Sequence, residues 1–160
     1  MASDSANSNR KLSSEAETLF QSAESYFNAQ QFKDAEQAYK KALDLNPAFK
    51  DALLGLGSVQ LNLGQLENAV ASFKAAVALA PDDADGYFYL GNALDDLGKN
   101  DDAIAAIEKA ISLKPDFAEA HLALGFIYFR IGNQTGLRKQ YDILKNLDAD
   151  FAKQLSTVIS

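Results

Sequence analysis

Residues 50–83 read KDALLGLGSVQLNLGQLENAVASFKAAVALAPDD, and residues 84–117 read ADGYFYLGNALDDLGKNDDAIAAIEKAISLKPDF. Laid one over the other, they agree at Leu56/Leu90, Gly57/Gly91, Gly64/Gly98, Ala69/Ala103, Ala76/Ala110, Leu79/Leu113 and Pro81/Pro115. The chain has three prolines, Pro47, Pro81 and Pro115, and consecutive ones stand 34 residues apart. Self-similarity at a fixed period of this size is the signature of stacked repeated units.

The same step extends outward, giving units 16–49, 50–83, 84–117 and 118–151. Ala23, Gly57, Gly91 and Gly125 share a small column. Ala35, Ala69, Ala103 and Leu137 share another, as do Ala42, Ala76, Ala110 and Leu144. Tyr39, Phe73, Ile107 and Tyr141 form a large apolar column, and Leu45, Leu79, Leu113 and Leu147 recur without change. Each unit reads as two helices. Phe32, Ala35, Tyr39, Ala42 and Leu43 lie on one face of a 3.6-residue period, and Leu19, Ala23 and Tyr26 do so in the first half. Gly64, Gly98 and Gly132 fall between the halves, where a helix ends in a left-handed residue. The prolines fall between units, where they stop one helix before the next begins. Ser14 followed by Glu17 reads as a capping box opening the first helix.

These residues resemble the tetratricopeptide repeat, a 34-residue helix-turn-helix unit. The motif is Leu56-Gly57, Gly64, Ala69, Phe73, Ala76 and Pro81, repeated from Leu90-Gly91 to Pro115, and it covers residues 16–151. The outer units depart from it. Ala23 and Gln30 stand in the first at the glycine positions, and Leu137, Leu144 and Ala149 stand in the fourth at the alanine and proline positions. Terminal repeats differ because one side lacks a neighbour. Phe151, Leu155, Val158 and Ile159 share one helical face, which predicts a capping helix over 149–159. Residues 1–15 are polar and Ser/Asn-rich and read as a disordered tail. The expected fold is therefore all-α: a right-handed superhelical solenoid of four hairpins and a C-terminal cap.

Composition excludes much else. The chain of 160 residues has no cysteine and one histidine, so thiolate zinc sites, cysteine nucleophiles and multi-histidine metal cages are out. A net charge of −7 opposes nucleic-acid binding, and no apolar run approaches the roughly eighteen residues that span a bilayer. The N-terminal stretch lacks the apolar segment of a secretory leader, so the expected location is cytoplasmic. No catalytic residue, cofactor or metal ligand is expected. His121 shares a column with Leu19, Leu53 and Tyr87 and reads as a packed helix residue. Gly91 to Lys99 lacks the first glycine and the closing Ser/Thr of a phosphate loop. Asp95, Asp96, Asp101 and Asp102 do not have calcium-loop spacing and read as a solvated acidic turn. Asn133-Gln134-Thr135 has the form of a glycosylation acceptor, without other marks of secretion.

The resemblance implies that one face of each first helix lines a concave, ligand-binding groove. The stripe there is Glu17, Phe20, Glu24 and Phe27, then Asp51, Leu54, Ser58 and Leu61, then Asp85, Phe88, Asn92 and Asp95, and last Glu119, Leu122, Phe126 and Phe129. Glu17, Asp51, Asp85 and Glu119 make an acidic ladder, which the helix dipole alone would also favour if each stands in a first turn. Phe20, Leu54, Phe88 and Leu122 make an apolar ladder, open either to partial burial or to a partner. Arg130 is the one cation beside this face, although Asn28, Asn62 and Asn92 are present. A carboxylate-terminated heat-shock chaperone tail, which related domains hold with Lys, Arg and Asn, is therefore not an expected ligand. The third unit is the most acidic. The expected function is a non-catalytic protein–protein interaction scaffold, holding a basic and apolar peptide or amphipathic helix in the groove. The alternative is a self-assembling scaffold, a homo-oligomer through the ends of the array or its convex surface, suggested by Val158 and Ile159.

Overall fold

Each hairpin is closed by one residue of left-handed backbone. Gly64, Gly98 and Gly132 have φ of 72°, 72° and 76°, which glycine adopts without steric cost. The first hairpin makes the same turn with Gln30 at φ 59°, so the bend survives the loss of the glycine. Pro47, Pro81 and Pro115 lie in the turns between hairpins.

The computed structural model describes the backbone of residues 2–159 and the side chains of 11–159. Its helices are α1 (Ala2–Asn28), α2 (Phe32–Leu45), α3 (Lys50–Asn62), α4 (Leu66–Leu79), α5 (Ala84–Asp96), α6 (Asn100–Leu113), α7 (Ala118–Arg130), α8 (Gln134–Leu147) and α9 (Ala149–Ser156). The chain divides into two compact units, Met1–Pro81 and Asp82–Ser160. In the first, α1 packs on α2, α3 on both, and α4 on α3. In the second, α5 packs on α6, α7 on both, α8 on α7, and α9 on α7 and α8. The architecture is all-α helix-turn-helix with a terminal capping helix, as the repeat predicts.

The helices approach closely because one partner has no side chain at the crossing. A methyl group built on Gly57 would lie 2.6 Å from the Phe73 ring, and one on Gly91 would lie 2.4 Å from Ile107 Cγ1. The large column therefore covers the small one inside each of these hairpins. The outer hairpins solve the contact differently. In the first, Tyr39 instead covers Gly55, where an added methyl would lie 2.4 Å from its ring, and its hydroxyl donates to Glu24. In the fourth, Gly125 is covered by Leu155 of α9. Leu137 and Leu144, at columns that hold alanine elsewhere, are wholly buried with Leu155 and Ala152. Tyr141 packs half-buried against this cluster, with the Lys145 ammonium 5.1 Å from its ring centre.

The ends of the array differ in detail from the sequence reading. The described α1 runs from Ala2, through the stretch read as a polar tail. No glycine or proline interrupts this stretch, and once a packed turn exists each further residue adds a hydrogen bond. Ser14 and Glu17 are not a capping box, because both lie inside α1, where the Ser14 carbonyl accepts from Thr18 Oγ1 at 3.0 Å. Ala149 stands where the other units have proline, and the helix still breaks before it. α8 stops at Leu147, and Asp148 caps α9, its carboxylate accepting from Phe151 N at 2.9 Å.

Buried polar groups are paired. Ser72 donates to Gln60 Oε1 at 2.7 Å, both residues being buried. His121 is buried between the Pro115 carbonyl, 3.0 Å from Nε2, and the Gln140 carboxamide, 2.7 Å from Nδ1. Both ring nitrogens of His121 thus have an oxygen partner, Pro115 O for Nε2 and Gln140 Oε1 for Nδ1, which makes it a packed helix residue with its polar atoms satisfied.

Two measurements check this core. Leu155→Ala is expected to destabilise the protein by about 2–5 kcal/mol, because it leaves a cavity over Gly125. Urea unfolding checks it, and a loss below about 1 kcal/mol would mean that α9 does not close the fourth hairpin. The second concerns alkaline pH. Burial first, then the hydrogen bond to Glu24 and its charge, push the Tyr39 phenol well above its ordinary range. The protonated form is the one the fold favours, so this stability is intact below about pH 10 and declines as pH rises further. The urea midpoint is expected to fall between about pH 10 and 11.5, and more gently in Tyr39→Phe. A residual slope is expected from Tyr128, whose phenol is also raised, by burial and by Glu108.

Candidate functional site

The first helices of unit one present Glu17 and Asp51 to solvent, and those of unit two present Asp85 and Glu119. Asp51, Asp85 and Glu119 stand in first turns, where the helix dipole favours them. Glu17 does not, because α1 begins far upstream, so the dipole does not account for it. Two of the predicted acids are engaged within the chain. Asp51 lies 3.3 Å from Lys50 Nζ, and Asp95 accepts from Arg130. The cation beside this face is thus held by its own unit, with Asn100 Oδ1 also 3.5 Å from Arg130 Nη2.

The apolar residues divide by unit. Phe20 stacks on Phe49, with ring centres 4.8 Å apart, and also touches Tyr39 at 5.9 Å. Phe27 meets the Phe32 edge at 5.7 Å, while Leu54 and Leu61 are half-buried. In unit two, Phe88 stacks on Phe117 at 4.9 Å, and Asn92 is half-buried. Leu122 and Phe126 pack against the cluster formed by Leu137, Leu144, Ala152 and Leu155, so the cap draws them into the core. Phe129 is exposed, as is Ile131. The predicted anchors are therefore mostly half-covered rims rather than a bare apolar floor. Among the described residues no group of His, Cys, Asp or Glu is placed to hold a metal, and no helix is long and apolar enough to cross a membrane.

A second surface comes from the outer side of the first hairpin. Leu19 and Tyr26 occupy columns read from the sequence as interior packing. Yet Tyr26 is 39% exposed, whereas its equivalents Gln60 and Leu94 are each 4% exposed. Leu12, on the extension of α1, is 39% exposed too. Two shallow concavities flank Leu19. One of about 330 Å³ includes Ser14, Thr18 and Leu45, and the other, of about 230 Å³, includes Tyr26, Asp34 and Lys41. The sequence carried a signal for this surface, the seven-residue spacing of Leu12, Leu19 and Tyr26, which the reading by 34-residue units passes over because Leu12 lies outside the first unit.

Family models agree with the repeat. Two described as "Tetratricopeptide repeat" match residues 20–84 and 72–105, and one described as "TPR repeat" matches residues 91–132. No match is found among curated proteins. Among solved structures, MamA is 30% identical with a TM-score of 0.81, over 86% of this chain and 81% of its own. MamA from Desulfovibrio magneticus RS-1 is 29% identical with a TM-score of 0.80, over 84% of this chain and 76% of its own. A tetratricopeptide repeat protein from Parabacteroides merdae ATCC 43184 is 18% identical with a TM-score of 0.83, over 91% of this chain and 59% of its own, and supports the fold alone. From repeat columns to hairpin packing to these likenesses, the conclusion is the same: the chain belongs to the tetratricopeptide repeat family and is an all-α protein–protein interaction module.

Proposed function

We propose that this module is a self-assembling scaffold, which joins further copies of its own chain through the end of its repeat array. The observation that carries the proposal is the outer side of the first hairpin. The column of Tyr26, covered in the second and third hairpins at Gln60 and Leu94, is open there, and Leu12 on the extension of α1 is exposed beside it. A repeat that cannot bury both its faces alone gains stability when another surface covers the open one. At the other end the fourth hairpin is already closed by α9, whose Ala152 and Leu155 are buried. The two apolar residues that first suggested assembly, Val158 and Ile159, pack into that closed cluster. They therefore support assembly less than the open N-terminal side does.

A second reading has its own observation. Glu17, Asp51, Asp85 and Glu119 are all exposed beside half-buried Phe20, Leu54, Phe88 and Leu122. Acidic groups edging apolar rims suit a basic, apolar peptide, which they would steer electrostatically. A carboxylate-ended tail suits them poorly, since Arg130 is engaged by Asp95.

Light scattering over about 1–200 μM, a range bracketing the modest affinity of a small interface, tests the assembly reading. The weight-average mass is expected to rise above the 17.3 kDa of one chain, and a mass that stays at that value throughout would reject it. For the peptide reading, the probe is a synthetic amphipathic helix of Leu and Lys followed by fluorescence anisotropy. Asp85→Lys with Phe88→Ala is expected to weaken binding about tenfold, equivalent to about 1.4 kcal/mol. Equal binding by a variant with unchanged circular dichroism would reject that reading.

A further inference from the structure

We infer that two copies pair across a two-fold axis, α1 of one running antiparallel to α1 of the other with Leu19 on the axis, to give a closed dimer. This rests on the assembly reading above and supplies its geometry.

Leu12, Leu19 and Tyr26 recur every seven residues, the spacing that keeps one seam of a helix turned toward a partner helix. The stripe is about 21 Å long at 1.5 Å per residue. α1 has 27 residues against 13 in each of α3, α5 and α7, and its extra length brings Leu12 onto the stripe. A helix also has the right shape to cover this surface. Where the same columns recur on α3 and α7, the preceding second helices, α2 and α6, pack against those elements.

Two alternatives to a two-fold pair are less compatible with the chemistry. Head-to-tail joining needs an apolar acceptor at the other end of the chain. There α9 exposes Lys153, Gln154 and Ser156, and the exposed large apolar side chain beside it is Leu147. A stripe of three apolar residues that meets a mostly polar surface at the far end is better matched by its own copy, which is the isologous case. A parallel pair would set Asp34 against Asp34 and Lys11 against Lys11. The antiparallel register brings residue 12 of one copy opposite residue 26 of the other. That places Lys11, next to Leu12, near Asp34 of the second copy, since Asp34 shares a concavity with Tyr26. It also brings Tyr26 toward the second copy's concavity between Ser14, Thr18 and Leu45. Lys11, Glu15, Asp34 and Lys41 balance in charge here, although the chain carries −7. These four groups therefore add no net repulsion between two copies at this surface.

The chain has no cysteine, so single cysteines report the register. Under mild oxidation Leu19→Cys is expected to form a disulfide-linked dimer. Leu19 is half-buried, so a second design uses the two exposed positions. Leu12→Cys and Tyr26→Cys chains are expected to cross-link when mixed, and much less when each is alone. In light scattering the wild-type mass is expected to level off at two chains, and Tyr26→Lys to weaken dimerisation at least tenfold. If the wild type associates but neither design cross-links, or its mass climbs past two chains, the two-fold arrangement is wrong while assembly stands. If the wild type remains a single chain throughout, both are wrong.

Discussion

The close approach of paired helices at a position with no side chain is the constraint on which the rest of this protein depends. Gly57 lies under Phe73 and Gly91 under Ile107, each too close to admit even a methyl group without displacement. The aromatic or branched side chain then fills the space against backbone, giving dense dispersion contact where two side chains would hold the helices apart. Every hairpin must meet this requirement, and the ends meet it by borrowing. Tyr39 reaches Gly55 of the next first helix, and Leu155 reaches Gly125 from α9.

The borrowing explains why the terminal units look atypical in sequence. In the fourth hairpin Leu155, not the large column, covers Gly125. Leu137 and Leu144 are buried at positions that hold alanine in the other hairpins, and Tyr141 packs against them with Lys145 over its ring. The fourth unit is a repacked hairpin joined to its cap, and the cap also engages Leu122 and Phe126. Residues assigned by repeat arithmetic to a ligand face are thus partly consumed by closing the fold. At the first hairpin no helix among the described residues plays this part, and the column of Tyr26 stays open.

Charge adds a second layer of selection. A net −7 over 160 residues makes approach of like copies unfavourable at most orientations. Locally the balance differs. Arg130 neutralises Asp95 in the second unit, and Lys50 lies beside Asp51 in the first. Glu17 and Glu119 remain exposed. On the outer side of the first hairpin the acids and bases beside exposed Leu12 and Tyr26 balance, so there apolar attraction is not opposed by local charge.

The sequence by itself determined the helical hairpins, their turns and their closing helix. Left-handed glycines, prolines and a 3.6-residue apolar period are local requirements of backbone geometry, and they recur at Gly64, Gly98, Pro81 and Pro115 wherever the chain needs them. It did not determine how far α1 runs. Ser and Asn are weak helix formers whose state follows from attachment to a packed helix rather than from their own preference. Nor did it determine which carboxylates stay available. Asp95 and Arg130 stand 35 residues apart, and only the packing of α5 beside α7 brings them together. The same holds for the covering of Gly125 by Leu155 and for the exposure of Tyr26. Burial at a repeat column depends on what lies beyond it, and the period is blind to neighbours, so the tertiary structure alone decided which faces are core and which remain open.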